Sequence, residues 1–287
     1  MALAPGSRFR GEAAVLTGAS GGIGAAIAPA LSGAGFRLLL TGRDGAALER
    51  VADPIRRAGG EARTFVLDLL EPGAPERLRA EAIRALGVPY LLVNDAGSLR
   101  VERLERRPPE EIARELALDL AVPIALTRAF LPVLLQRGRG QILNVGSAVV
   151  DLPLPRLAVY AAAKAGLRAF SVALDRETRR RGVRSTVLEP IFVRTGLGRT
   201  GGAAPAPIDR MARRHPRMVL EPEVVARYAL RALHRPRPIV RVPAAWSLGR
   251  PILGVLGPIA DRLLELPPPR PGTSDGEDGR LGAGPPG

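Results

Sequence analysis

Short apolar runs alternate with longer stretches of helical periodicity along this chain, and that alternation limits the possible fold more than any other feature. Most of the short runs are continuous in hydrophobicity, as expected for strands that are covered on both faces. The longer stretches repeat apolar residues at the spacing of an amphipathic helix. Strands separated by helices build βαβ units with parallel strands. The sequence therefore predicts an α/β fold with one doubly wound parallel sheet and helices on both faces.

The bounds of the predicted elements follow from these runs and the turn residues between them. Strands are expected at 13–17, 36–41, 62–67, 90–94, 141–145, 183–188 and 239–242. Helices are expected at 23–34, 46–58, 75–86, 109–136, 159–181 and 222–233. A chain of 287 residues has room for one such sheet with its helices, so we expect a single folded domain.

The charge of the chain bears on possible partners. A net charge of +14 would suit a nucleic acid if the basic residues were clustered. They are almost all arginines spread along the whole chain, which is typical of a solvated surface. We therefore expect no nucleic-acid partner. The chain has no cysteine, and His215 and His234 lack metal-ligand spacing, so no metal site is expected either.

Targeting signals are the next question. The first residues lack the apolar core of a signal peptide before the first predicted strand. No uninterrupted apolar run reaches the roughly 18 residues of a membrane span. The sequence therefore predicts no transmembrane span and a cytoplasmic location.

Glycines cluster between the first predicted strand and the first predicted helix, where residues 17–24 read Thr-Gly-Ala-Ser-Gly-Gly-Ile-Gly. Glycine lets the backbone approach a pyrophosphate closely, and the start of the next helix offers free N–H groups and a favourable dipole. A strand, a glycine turn and a helix in this order are typical of a dinucleotide site. The turn therefore favours a Rossmann-type sheet with a dinucleotide at this edge.

The motif around Gly18, Gly22 and Gly24 resembles the TGxxxGxG motif of the short-chain dehydrogenase/reductase family, classical type. The resemblance extends over roughly residues 10–243. Asn94 to Gly97 is similar to the family's NNAG segment, with Asp95 in place of the second asparagine, and Asp68 corresponds to an acid that contacts adenine. The resemblance implies cofactor contacts from Gly18, Ser20, Gly22, Ile23, Gly24, Arg43, Asp68, Asn94, Ala96, Tyr160, Lys164 and Thr195.

The end of the second predicted strand bears on which cofactor is bound. NAD-preferring proteins place a carboxylate there for the ribose 2′-OH, whereas an arginine suits a 2′-phosphate. This chain has Arg43, whose guanidinium can hold a phosphate through paired charge-assisted hydrogen bonds, and Ser20 adds a hydroxyl. These residues favour NADP(H). Asp44 keeps NAD(H) as an alternative, because its carboxylate is next to Arg43.

Tyr160 and Lys164 form a YxxxK pattern on a predicted helix, so their side chains lie on one face, one turn apart. An ammonium beside a phenol favours the phenolate, so we expect Lys164 to lower the pKa of Tyr160 toward working pH. Such a tyrosine can transfer a proton to or from a substrate oxygen. Lys164 is also the only lysine among the 42 basic residues, which indicates a specific need for an ammonium.

The segment from Asn144 to Ser147 is similar to the family's NVSS segment. By resemblance, Ser147 polarises the substrate oxygen, Tyr160 is the acid/base, and Lys164 tunes Tyr160 and binds the nicotinamide ribose. The family's fourth catalytic position, an asparagine that helps anchor a water leading to the lysine, corresponds here to Asp119. A carboxylate at that position would alter the tuning of Tyr160.

The segment from Pro190 to Thr195 is similar to PGxVxT, with Ile191 where the family usually has glycine. That exchange predicts a loop that runs differently if the glycine has an unusual backbone angle. Thr195 corresponds to the residue that meets the nicotinamide carboxamide. The departures at Asp95, Asp119 and Ile191 leave open a non-catalytic NADP(H)-binding sensor of the same fold.

The resemblance implies an NADP(H)-dependent oxidoreductase that interconverts a ketone or aldehyde and an alcohol, and a homo-oligomer, either a dimer or a tetramer. The expected pocket is apolar and favours a lipophilic small molecule, although the arginines of the flap allow an acidic, carrier-linked substrate. Its expected lining comprises Leu152, Leu154, Leu157, Ile191, Phe192 and the flap, in which the arginines are Arg210, Arg213 and Arg214.

Three segments follow from this interpretation. Residues 1–243 form the dinucleotide-binding catalytic domain, including a Pro/Gly/Arg-rich substrate flap at 190–220. Residues 244–266 are an apolar segment that closes the pocket, contacts another subunit or rests on a membrane, in that order of preference. Residues 267–287 are too poor in apolar groups to pack and are expected to be a disordered tail.

Overall fold

The structure, a computed structural model, describes residues 8–195 and 219–245. Seven strands form a single sheet in the order β3-β2-β1-β4-β5-β6-β7, and every neighbouring pair is parallel. The strands are β1 Ala13–Thr17, β2 Arg37–Gly42, β3 Ala62–Val66, β4 Leu91–Asn94, β5 Gly140–Val145, β6 Val183–Pro190 and β7 Ile239–Val242.

All seven predicted strands are present, and six of them end within one residue of the predicted bounds. The exception is β6, which extends to Pro190 because its last residues pair with β7, Glu189 with Arg241 and Pro190 with Val242. A pairing partner that lies about fifty residues away leaves no signal in the local sequence.

Helices connect the strands and cover both faces of the sheet. They are α1 Gly22–Gly33, α2 Gly45–Arg57, α3 Ala74–Leu86, α4 Pro109–Leu116, α5 Val122–Gln136, α6 Ala158–Thr178 and α7 Pro222–His234. Alternate residues of β1 enter opposite cores: Leu16 packs with Ile27 of α1, and Val15 packs with Leu126 of α5. The predicted doubly wound sheet with helices on both faces is confirmed.

The long middle helix departs from the prediction of one regular helix over 109–136. A π-helical turn at Ala117–Ala121 separates α4 from α5. An inserted π turn re-aims side chains and is frequent at functional sites. Here the turn contains Asp119, whose side chain is fully buried.

The stretch Pro109–Gln136, which contains an 18-residue window with a mean hydropathy of 1.8, is long and apolar enough to cross a membrane by length and composition alone. Its Leu126, Phe130 and Leu134 lie in the protein core. In the described structure, 39% of that window is buried. The absence of a membrane span remains a prediction of the sequence.

The order of the strands positions the site. The chain passes from β1 outward to β2 and β3 and then returns to place β4 on the other side of β1. In open α/β sheets, ligands bind outside the carboxyl ends of the strands at such a reversal. The predicted flap residues 196–218, the apolar segment from 246 onward and the tail 267–287 lie outside the described residues, so the predictions for them stand untested.

Candidate active site

The glycine turn lies at the carboxyl end of β1, where the strand order reverses. Gly18 has a φ of +66°, and a Cβ there would lie 2.7 Å from the backbone N of Ala96. A Cβ on Gly24 would lie 2.3 Å from the carbonyl O of Gly18. Helix α1 begins after Gly21 without a side-chain cap from that residue. Its Gly24 N–H donates to the Asp95 carboxyl, which leaves the earlier N–H groups of the helix for another acceptor. The turn fits a pyrophosphate, because it combines close backbone approach with uncapped donors.

The NNAG-like segment braces this turn. The Thr17 hydroxyl accepts hydrogen bonds from the backbone N–H groups of Asp95 (3.1 Å) and Ala96 (3.2 Å). Across the strands, Asn94 Nδ2 donates to Asn144 Oδ1 at 2.8 Å. Asn94 is therefore buried between β4 and β5, and it acts on the cofactor edge by holding the strands in register.

Asp95 lies beside the turn rather than in solvent. Burial raises the pKa of its carboxyl to about 8, although the Lys164 charge and a hydrogen bond from the Gly24 N–H lower it. A carboxyl with this pKa is largely protonated at neutral pH. The protonated form recovers one of the two donors that are lost when asparagine becomes aspartate.

The end of β2 places the residues that bear on the choice of cofactor. Arg43 is exposed, and it forms no ion pair with another side chain in the part of the chain that the structure describes. The hydroxyl of Ser20 lies 3.3 Å from the position that a Cβ on Gly42 would take. Asp44 caps α2, because its Oδ1 accepts the Ala47 N–H at 3.0 Å. At the end of β3, Asp68 Oδ1 accepts the Leu70 N–H at 3.0 Å.

Ser147, Tyr160 and Lys164 come together at the carboxyl edge beside this turn. Ser147 follows β5, and its Oγ accepts the Val149 N–H at 3.2 Å. Tyr160 and Lys164 lie on the first turns of α6, and the Lys164 Nζ is 5.6 Å from the centre of the Tyr160 ring. The Ser147 hydroxyl interacts with the Tyr160 hydroxyl and lowers its pKa.

Lys164 is held by two oxygens. Its Nζ donates to the carbonyl O of Val145 at 3.1 Å and lies 3.0 Å from Asp119 Oδ1. Burial lowers the pKa of Lys164, but the charges of Asp119 and Tyr160 raise it by more, so the net shift is upward. Lys164 therefore keeps its proton although its side chain is only 7% exposed.

The expectation that Tyr160 has a lowered pKa is wrong. Burial is the largest influence on the pKa of Tyr160 and raises it; Lys164 lowers it, and Asp119 raises it again. Asp119 is the reason that the effect of the lysine is limited, since its carboxylate pairs with the same ammonium. The phenol therefore stays protonated at neutral pH.

Asp119 belongs to a buried polar network. Its Oδ2 accepts from the Ser98 backbone N–H at 2.9 Å and from the Ser98 hydroxyl at 3.0 Å. Glu115, four residues earlier on the same helix, pairs with Arg107, and both side chains are 3% exposed or less. Gly97 leaves room for this network, because a Cβ there would lie 2.7 Å from Asp119 Oδ1.

The loop after β6 meets the glycine turn from the other side. A Cβ on Gly22 would lie 2.8 Å from the Thr195 Cγ2, so Thr195 packs on the start of α1. Ile191 does not need the backbone angle of a glycine: Arg156 is the one non-glycine residue with positive φ in the described ranges. The prediction that this loop runs differently from one built on a glycine therefore stays a prediction.

Of the remaining predicted residues, Ile23 packs on the edge of one core and Ala96 on the edge of the other. The apolar residues expected to line the substrate pocket, Leu152, Leu154, Leu157, Ile191 and Phe192, are all partly buried on the loops after β5 and β6. Among the described residues, no group of three or more His, Cys, Asp or Glu side chains is arranged to hold a metal.

Thr17, Ser98 and the pair of Arg107 and Glu115 were not identified from the sequence. Thr17 had a local signal, since it stands directly before the first glycine of the turn. Ser98 follows the NNAG-like segment, but its contact with Asp119 depends on how α4 and α5 pack. Arg107 and Glu115 are eight residues apart across the start of α4, and only their common burial indicates that they pair.

Comparisons with known proteins agree with this geometry. Residues 12–204 match the family described as short chain dehydrogenase. The 3-oxoacyl-[acyl-carrier-protein] reductase FabG of Escherichia coli (strain K12) is 34% identical over 192 residues, which are 67% of this chain and 77% of that protein.

Two solved structures have the same fold. A short chain dehydrogenase/reductase from Burkholderia phymatum in complex with NAD is 25% identical with a TM-score of 0.76, covering 88% of this chain and 96% of that one. A metagenomic short-chain oxidoreductase in complex with NADP is 31% identical with a TM-score of 0.67, covering 81% and 97%. The chain therefore belongs to the short-chain dehydrogenase/reductase family, whose members are oxidoreductases that bind NAD or NADP.

Proposed function

We propose that this chain is an NADP(H)-dependent oxidoreductase that interconverts a ketone or aldehyde and the corresponding alcohol. The observation that carries the proposal is the meeting of Ser147, Tyr160 and Lys164 beside the glycine turn at the start of α1. When bound at the turn, the nicotinamide supplies or accepts the hydride. The protein holds the substrate and moves the proton.

The protonation states of the site favour carbonyl reduction near neutral pH. The raised pKa of Tyr160, which burial causes, keeps a proton on its hydroxyl for delivery to a substrate oxygen. Ser147 orients and polarises that oxygen through its hydroxyl. Lys164 remains charged and stabilises the negative charge that develops on Tyr160 as the proton leaves.

The preference for NADP(H) over NAD(H) rests on β2 and α2. Arg43 is exposed at the end of β2 with its guanidinium available to a 2′-phosphate. The Asp44 carboxylate accepts the Ala47 N–H as the N-cap of α2, so it is engaged at the position where it would otherwise accept a hydrogen bond from a ribose 2′-OH. Two related structures are described as complexes with NAD and with NADP, so the assignment for this chain depends on its own residues.

The substrate proposed is a lipophilic carbonyl compound, since Leu152, Leu154 and Phe192, on the loops after β5 and β6, are apolar and only partly buried. A carrier-linked oxoacyl group is a specific member of this class, because one relative is named as a 3-oxoacyl-[acyl-carrier-protein] reductase. The homo-oligomer, the cytoplasmic location, the roles of the site residues and the catalytic domain over 1–243 remain part of the same proposal.

A second candidate is a non-catalytic NADP(H)-binding sensor. The Asp119–Lys164 ion pair favours it, because the carboxylate competes with Tyr160 for the ammonium. This candidate predicts tight NADPH binding and no turnover with any substrate.

The experiment that separates the two candidates is the loss of NADPH absorbance with purified protein and a panel of aldehydes, ketones and 3-oxoacyl thioesters, beside Tyr160→Phe. The oxidoreductase is expected to turn over at least one of these compounds, and Tyr160→Phe is expected to lose that rate while still binding NADPH. Binding of NADPH by the wild type without turnover of any compound in the panel would favour the sensor.

A further inference from the structure

Four charged side chains, two arginines and two buried carboxylates, form a cluster that joins α6 to the ends of β6 and β7. Arg168 donates through Nη1 to Asp151 at 2.8 Å, and through Nε and Nη2 to Glu189, the latter at 2.7 Å. Arg241 Nε donates to Asp151 Oδ2 at 3.1 Å and lies 3.9 Å from Glu189 Oε2. The Asp151 and Glu189 side chains are 2% and 0% exposed, so the two guanidinium groups replace their water.

Three members of the cluster lie close in sequence to residues of the proposed chemistry. Asp151 follows Ser147 by four residues, and Glu189 directly precedes the loop from Pro190 to Thr195. Arg168 is on α6, four residues after Lys164 and eight after Tyr160, so all three lie on neighbouring parts of one helix face. One guanidinium therefore connects the three elements that carry the site.

The packing around the cluster leaves space for it. Gly146 lies between β5 and Ser147, and a Cβ there would lie 2.7 Å from Val187 Cγ2 and 3.3 Å from Glu189 Cγ. A side chain at that position would crowd Val187 and the base of the Glu189 side chain. The bidentate contact to Glu189 also needs the planar guanidinium, which a lysine cannot reproduce.

We propose that Arg168 is a positioning residue that fixes the loop after β5 and the loop after β6 relative to α6, so that Ser147 and the nicotinamide side of the site stay aligned with Tyr160. The inference rests on the proposed oxidoreductase function for its kinetic consequence. A buried ion cluster is weak evidence for stability, because apolar residues of similar size often stabilise a fold as well. The ion cluster, however, fixes the relative positions of the elements that it joins, and an active site needs its side chains to be held in such fixed positions.

The same helix and strand contain a matched control. Arg184 Nε donates to Asp175 Oδ1 at 2.7 Å, and the Asp175 side chain is 0% exposed. This pair also joins α6 to β6, but it lies at the end of α6 and the beginning of β6, on the sheet edge opposite the candidate site. Loss of Arg184 therefore removes a partly buried ion pair between the same elements without touching either loop.

The test compares Arg168→Met, Arg168→Lys and Arg184→Met by hydrogen–deuterium exchange of peptides covering 147–157 and 189–195, and by kcat/KM for carbonyl reduction. Arg168→Met is expected to speed exchange in both peptides by about tenfold and to lower kcat/KM by a similar factor. Arg168→Lys should lie between it and the wild type. Arg184→Met should change neither quantity, although its melting temperature falls.

Unchanged exchange in both peptides of Arg168→Met, or the same rise in Arg184→Met, would overturn the inference. If Arg168→Met does not fold, Glu189→Gln is tested instead. Glutamine keeps the volume of the side chain and removes the negative charge that pairs with Arg168. A wild type without turnover would contradict the proposed function, whereas the exchange result would still decide the role of Arg168.

Discussion

Replacing Gly24 by alanine tests the glycine turn most sharply. The added Cβ would lie 2.3 Å from the Gly18 carbonyl O and 2.8 Å from Asp95 Oδ2. Because Cβ contacts below 3.0 Å are not tolerated, the Gly18 carbonyl must move by at least about 0.7 Å. That carbonyl accepts the Gly21 N–H at 2.9 Å, so its movement distorts the turn that is proposed to hold the pyrophosphate.

Overpacking of this kind costs about 1–3 kcal/mol, and the better helix propensity of alanine returns up to about 1 kcal/mol. We expect Gly24→Ala to lose about 1–2 kcal/mol of unfolding free energy in urea denaturation. The Kd for NADPH, measured by fluorescence titration, should rise by about tenfold, which corresponds to about 1.4 kcal/mol.

Gly33 in the same helix is the control, because a Cβ there meets nothing within 4 Å. Gly33→Ala should leave the Kd for NADPH unchanged and stabilise the fold by up to about 1 kcal/mol. If Gly24→Ala instead binds NADPH and unfolds like the wild type, the turn is not the close-approach site described above.

Three further predictions concern charge. Arg43→Ala should raise the Kd for NADPH by about tenfold or more, because the variant loses a charge-assisted hydrogen bond to the 2′-phosphate. The Kd for NADH should stay within about twofold. Equal losses of affinity for both cofactors would contradict the proposed preference for NADP(H). Asp119→Asn removes a charge that raises the pKa of Tyr160, so the alkaline limb of the pH–rate profile for reduction should move to lower pH, and a shift upward would refute this reasoning. Asp95 has a pKa of about 8 in the fold against 3.8 ordinarily, so its contribution to stability is full below pH 3.8 and is lost as pH rises through about 8. Denaturation of Asp95→Asn from pH 5 to 9 should lack that fall, and an identical slope in both proteins would count against a protonated Asp95.

The sheet could be predicted because its strands are short, apolar and nearly continuous, so the strand pattern is a local property of the sequence. The π turn at Ala117–Ala121 could not, since nothing in the sequence of the long helix marks the position of an inserted residue. Asp44 illustrates a signal that was present but not used: an aspartate directly before a helical stretch is a preferred N-cap, which limits its use as a ribose ligand.

The proximity of Tyr160 to Lys164 could be predicted from their spacing, but the direction of the shift in the pKa of Tyr160 could not. That direction depends on burial and on the 3.0 Å contact between Lys164 and Asp119, two residues 45 positions apart whose distance is set by the packing of two helices. The cluster around Arg168 escaped prediction for the same reason. Its members come from four separate elements, and each one alone is typical of a solvated charge.

The most direct test of the central claim is kcat/KM for carbonyl reduction in the wild type, Tyr160→Phe, Lys164→Met and the double variant. If Tyr160 and Lys164 act as one unit, each single variant should lose most of the activity, and the double variant should lose little more than either. The account is contradicted if Tyr160→Phe keeps the wild-type kcat/KM, or if the two losses simply multiply in the double variant.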